Sequence, residues 1–234
     1  MPFGLITNVL ALLIGGLLGG VLGKRISPEL KNSLNNIFGF CAIAIGISLV
    51  VKMHALSAVV LAVVLGTLLG ESLKIEDHIN SLVYKLAPKM LKGKNVDDGF
   101  VNTFCAVAII FCCSGTGWYG VLTEGFSGDP SILLTKSILD FFTAMIFAAV
   151  LGNLVASLAV PQLLIYVVLF SVSRLILPLV SDTMLADFSA VGGVIELATG
   201  MRIAGIKKET KVVNLVPAMI LIFPISALWG MLFV

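Results

Sequence analysis

Hydrophobic positions in this chain come in long unbroken runs separated by short clusters of glycine, proline, lysine and acid, with no sustained two-residue alternation. A helix rises about 1.5 Å per residue, so crossing a hydrocarbon layer of roughly 30 Å takes about 20 such residues. Backbone amides in lipid must pair within their own segment, so these runs predict helices, whereas barrel strands would alternate. The pattern predicts an all-α polytopic membrane protein of about eight transmembrane helices. The expected spans are 6–23, 34–51, 56–73, 100–120, 132–157, 162–180, 185–204 and 212–233. They form a single transmembrane domain over 1–234, and the polar stretch 74–98 reads as an amphipathic segment on the cytoplasmic surface.

Composition changes the picture only by closing alternatives. Hydrophobic residues make up 59%, charged residues 12% and mean hydropathy is +1.10, which excludes a soluble domain. The net charge of +2 carries no nucleic-acid signature. Lysine and arginine cluster at Lys24, Arg25 and Lys31, at Lys74, Lys85, Lys89, Lys92 and Lys94, and at Lys207, Lys208 and Lys211. Basic residues beside span ends stay in the cytoplasm, so these loops are expected inside and both termini outside, with Glu124 and Asp129 in an outer loop. Cys41, Cys105, Cys112 and Cys113 lie in apolar runs and read as small buried hydrophobes, with no metal site and no cofactor expected. His54 and His78 fall in loops on opposite sides, HExxH is absent, and no catalytic residue is assigned, so an enzyme is not expected.

Glycine spacing carries packing information. Gly15, Gly16, Gly19, Gly20 and Gly23 form overlapping GxxxG series that let another backbone approach, either as an internal seam or as a homodimer contact. Gly39 and Gly46 share their spacing with Gly193 and Gly200, which reads either as an inverted repeat relating spans 1–3 to spans 6–8 or as chance likeness among apolar, glycine-rich helices.

Chemistry concentrates where polar groups meet apolar runs. Ser114, Gly115, Thr116 and Gly117 are expected to break a helix at membrane depth, exposing main-chain groups and hydroxyls to a small solute or ion; the alternative is a fraying span end with Trp118 and Tyr119 as interfacial aromatics. Lys136 and Asp140 are four apart on one helix face, as a neutralised pair or as a cation site that lysine fills when empty. Asp129 before Pro130 reads as a helix-start cap. Asp187 with Ser189 opens a span, as a cap or as part of the same site. Arg174 and Glu196, at comparable distances from the turn near Thr183, are expected to form a structural ion pair. The favoured reading is a transporter of a small polar solute or ion, against a fixed-pore channel or a membrane scaffold.

Phe111-Cys-Cys-Ser-Gly-Thr-Gly117, Gly128-Asp-Pro-Ser-Ile-Leu133, the stretch Lys136 to Phe147, Ala186-Asp-Phe-Ser-Ala-Val-Gly-Gly193, Ile37-Phe-Gly39 and Val213-Asn-Leu-Val-Pro217 closely resemble the bacterial inner-membrane family of YqgA and YdfK. The resemblance runs nearly end to end and implies a bacterial plasma-membrane location. Members of that family are uncharacterised, and the resemblance implies a transporter of no stated substrate only by their common description. Ser114, Thr116, Lys136, Asp140 and Asp187 match the family pattern, whereas Arg174 and Glu196 stand where that pattern is apolar.

Overall fold

A computed structural model describes residues 2–22, 28–90, 98–112, 114–207 and 209–233, and every regular element among them is helical. In chain order these are α1 (Phe3–Leu22), α2 (Pro28–Val50), α3 (Leu56–Ser72), α4 (Ile75–Met90), α5 (Asp98–Cys112), α6 (Gly115–Ser127), α7 (Ser131–Leu151), the single turn α8 (Leu154–Ser157), α9 (Ala159–Ile176), α10 (Asp182–Ile203) and α11 (Pro217–Phe233). Six segments among the described residues are long and apolar enough to cross a membrane, and α3 with α4, bent by 48°, gives up to seven. The apolar part of α2, Asn36–Val50, is shorter. A helix falls on each of the expected apolar runs, and α4 covers part of the polar stretch 74–98.

The chain divides into two compact units, residues 1–33 with 77–174, and residues 34–76 with 175–234. In the first unit α1 and α7 run parallel, because Gly4 meets Leu133 while Gly15 and Gly19 meet Phe141 and Met145. The overlapping GxxxG rows serve two neighbours. A Cβ on Gly19 would sit 2.5 Å from the Cα of Met145, and one on Gly16 would sit 2.6 Å from the backbone nitrogen of Ala156 on α8. The glycine face of α1 is therefore filled by this chain's own α7 and α8, while Ile6, Leu10, Ile14, Leu17 and Val21 stay exposed. Gly23 lies outside the described residues.

In the second unit α2 and α10 pack antiparallel through the glycines that share a spacing. A Cβ on Gly46 would lie 2.8 Å from the carbonyl oxygen of Gly193, and one on Gly193 would lie 2.7 Å from that of Gly46. Gly200 meets the Gly39 carbonyl at the same 2.7 Å. The two motifs face each other, so equal spacing here has a direct cause: two helices crossing closely need small residues at matched intervals on both sides. Likewise α11 runs antiparallel to α3, with Ala218 over Gly66 and Asn214 over Gly70.

Several expectations change. The helix break expected near 114–117 is present but confined to Ser114 among the described residues, and Gly115, Thr116 and Gly117 form the first turn of α6. Glu124 lies not on an outer loop but inside α6, 3% exposed. Helix α10 opens at Asp182 with Ser181 as its cap, so Asp187 sits in its second turn. Cys41 is exposed on the apolar surface of α2, whereas Cys105 and Cys112 are buried and Cys113 is outside the described residues.

Candidate functional site

Helix starts carry unpaired amides and a partial positive charge, and this chain satisfies them with buried carboxylates from distant segments. Glu124 accepts from the backbone N–H of Gly4 at 2.7 Å and of Leu5 at 2.9 Å, closing the start of α1. Asp187, fully buried, holds the two residues just before α3: its Oδ1 accepts from the amides of His54 (2.9 Å) and Ala55 (2.8 Å), and its Oδ2 from the Ser226 hydroxyl (2.6 Å). Glu76 accepts from the amide of Val213 and from Arg202, both at 3.0 Å, while its own amide donates to Asn214. Asp129, two residues before α7 starts, acts locally, accepting the Ser131 amide at 2.9 Å.

A different arrangement occupies the interior of the first unit. Lys136 and Asp140, 4% and 6% exposed, form an ion pair along one face of α7. Asp140 Oδ2 also accepts from the side-chain amide of Asn8 on α1, at 3.0 Å. Asn8 Oδ1 in turn accepts from Gln162 Nε2 on α9 at 3.2 Å, and the same nitrogen donates to the Phe111 carbonyl (3.1 Å) and lies 3.4 Å from the Tyr166 hydroxyl. Asn8, Gln162 and Tyr166 are all 0% exposed. Gln162 Oε1 is buried without a hydrogen-bond partner. Burying a polar acceptor without a donor is unfavourable, so this atom marks a place where the protein alone leaves chemistry incomplete.

The helix break contributes directly. Ending α5 at Cys112 frees the last carbonyls, of which Phe111 takes Gln162 and Cys112 takes the indole N–H of Trp118 at 2.9 Å. Trp118 therefore seals the break instead of standing as an interfacial aromatic. Ser114 Oγ accepts the Gly117 amide at 3.4 Å, capping α6. Gly117 lets α6 approach α7 and α9: a Cβ there would meet Tyr166 and lie 3.1 Å from Cε of Lys136.

Of the residues expected from sequence, Gly117, Lys136 and Asp140 come together, with Ser114 capping the same helix start and Thr116 buried beside it. Asp187 belongs to the second unit with the partners given above, and Ser189, also there, donates to the Leu185 carbonyl at 2.8 Å. Arg174 lies in the first unit, where it donates to the Gly125 carbonyl (3.5 Å) and sits over the Phe170 ring; Glu196 is buried in the second. Sequence reasoning missed Asn8, Gln162 and Tyr166. The signal was present in Asn8 and Gln162, bare amides in runs where every neighbouring polar group is a cost.

Comparison with known proteins places the chain in a family. The chain is 46% identical over 231 residues to a protein of Escherichia coli (strain K12) described as "Uncharacterized protein YqgA", covering 98% of each chain. It is 27% identical over 223 residues to the "Uncharacterized membrane protein YdfK" of Bacillus subtilis (strain 168), covering 94% of this chain and 93% of that one. No solved structure matches it. The profile of the family described as "Protein of unknown function (DUF554)" matches residues 3–227, and this multi-pass membrane protein belongs to that family.

Proposed function

We propose that this protein is a transporter of a small polar solute or ion across the bacterial inner membrane, and that its binding site is the Lys136–Asp140 cluster of the first unit. One observation carries the reading: a lysine–aspartate pair held inside a span-length apolar helix and wired through Asn8 and Gln162 to a carbonyl freed by a helix break. Ionisable groups at membrane depth are expensive and mark solute or ion pathways by default. Structural anchoring alone would be served by an apolar contact, since replacing a buried ion pair by packed hydrophobes is often neutral or stabilising.

Topology supports the same reading. The parallel course of α1 and α7 and the antiparallel courses of α2 with α10 and α3 with α11 match first and fifth, second and seventh, and third and eighth members of an alternating series. With the basic loops retained inside, the proposal has both termini outside the cytoplasm.

The test is uptake into proteoliposomes containing the purified full chain. Saturable uptake with counterflow supports a carrier; Asp140→Asn should abolish it. Unitary currents would replace the carrier by a channel, and a protein that moves no solute but captures a stoichiometric partner would be a scaffold.

A further inference from the structure

We infer that the solute is a monovalent alkali cation exchanged one for one against the proton on Lys136. This rests on the transport reading above and adds to it the sign of the charge and the coupling.

The sign follows from which hydrogen-bonding groups are already engaged. Helix starts are ready anion sites, but here the amides of Gly4 and Leu5 hold Glu124, those of His54 and Ala55 hold Asp187, and that of Gly117 meets Ser114. Inside the cluster the amide nitrogens are engaged as well, Asn8 with Asp140 and Gln162 with Asn8 and Phe111. The buried atom of this cluster left with no partner at all among the described residues is an acceptor, Gln162 Oε1. Its orientation is fixed by chemistry: a carboxylate and a carbonyl only accept, so Asn8 and Gln162 must turn their nitrogens toward Asp140 and Phe111. An unsatisfied buried oxygen is answered by a cation or a donor, never by an anion. Carboxylate, amide and carbonyl oxygens form a hard ligand set suited to alkali metals, and the single carboxylate balances a single charge.

The coupling follows from charge balance. Lys136 and Asp140 together sum to zero in the resting site. A cation joining them would leave one uncompensated positive charge in a low-dielectric interior, so its entry is joined to departure of a proton. One N–H bond of the ammonium breaks, the electron pair stays on Nζ, the proton leaves to water on the open side, and the cation takes the ammonium's place at the carboxylate. Both states are neutral, and a full cycle moves no net charge. Among the described contacts of the cluster the titratable groups are Lys136, Asp140 and the Tyr166 phenol; α1, α5 and α6 bring Asn8, the Phe111 carbonyl and Gly117, none of which titrates.

The experiment places the full chain in phosphatidylethanolamine–phosphatidylglycerol vesicles loaded with a pH dye, with Na⁺, K⁺ or Li⁺ gluconate added outside. At least one of these cations should make the lumen alkaline, at a rate indifferent to membrane potential. Asp140→Asn and Lys136→Gln should each end the signal. Gln162→Leu should raise the half-saturating cation concentration roughly tenfold, the loss expected for one ligand oxygen. In detergent the same cation should raise the melting temperature of the native chain but not of Asp140→Asn, a readout independent of reconstitution. The inference is overturned if none of the three cations moves lumenal pH. In that case Asp140-dependent flux of chloride or phosphate would leave the transport reading standing, and absence of any such flux would end both.

Discussion

Asn8 donates its side-chain amide to Asp140 at 3.0 Å, joining α1 to α7 at a level where both helices are otherwise packed through glycine and apolar side chains. The contact orients the carboxylate that also holds Lys136, and it passes the orientation on to Gln162. Two helices that could slide along a smooth glycine seam are thereby fixed in register.

Removing one member of the buried pair is expected to hurt more than removing both. Lys136→Met leaves a buried carboxylate without its counter-charge and should cost roughly 3–5 kcal/mol, whereas Lys136→Met with Asp140→Leu should recover much of that loss. Unfolding of the native chain, Lys136→Met, Asp140→Leu and the double variant in mixed detergent measures this. Additive losses would show that the two side chains act independently.

Glu124 should protect the first amides of α1. Glu124→Ala removes the acceptor from Gly4 and Leu5, and the loss of about 1–2 kcal/mol expected for a helix cap corresponds to roughly tenfold faster amide exchange there. Hydrogen exchange read by mass spectrometry on the peptide covering the start of α1 checks it, with α3 as the internal control.

Asp187→Ala should act in the same way on α3, and more severely, because it strands the amides of His54 and Ala55 together with the Ser226 hydroxyl. At roughly 1–3 kcal/mol for each buried group left unsatisfied, the second unit should lose its cooperative melt. Asp187→Asn, which keeps an acceptor, should retain most of the stability.

The glycine crossing of α2 and α10 predicts intolerance of even one carbon. A Cβ at Gly193 would stand 2.7 Å from a backbone oxygen that cannot rotate away, so Gly193→Ala should cost roughly 1–3 kcal/mol. Gly230, whose Cβ would meet nothing within 4 Å, should accept alanine without loss. Paired melting curves decide the comparison.

The spans were legible because lipid-length apolar runs allow few other structures, and Lys136 with Asp140 was legible because four-residue spacing fixes a shared face. What sequence could not supply was pairing between segments distant along the chain. Gly39 and Gly46 with Gly193 and Gly200 look alike whether they descend from a duplication or face one another across a seam. Glu124 looked like a loop residue because Gly125, Gly128, Asp129 and Pro130 follow it; yet α6 runs on to Ser127, and only folding shows that the carboxylate turns inward to α1. Asp187 looked like a cap for its own helix and instead holds the amides of His54 and Ala55, just before α3. Gln162 carried no motif at all, and its importance depends on three partners from α1, α5 and its own next turn.

Anomalous scattering from Tl⁺ soaked into crystals of the full chain tests the central claim most directly. The account predicts a peak in contact with Asp140 and Gln162 Oε1, with Lys136 displaced from the carboxylate and the peak lost in Asp140→Asn. Tl⁺ bound only at the protein surface, with the Lys136–Asp140 pair intact at saturating concentration, would contradict it.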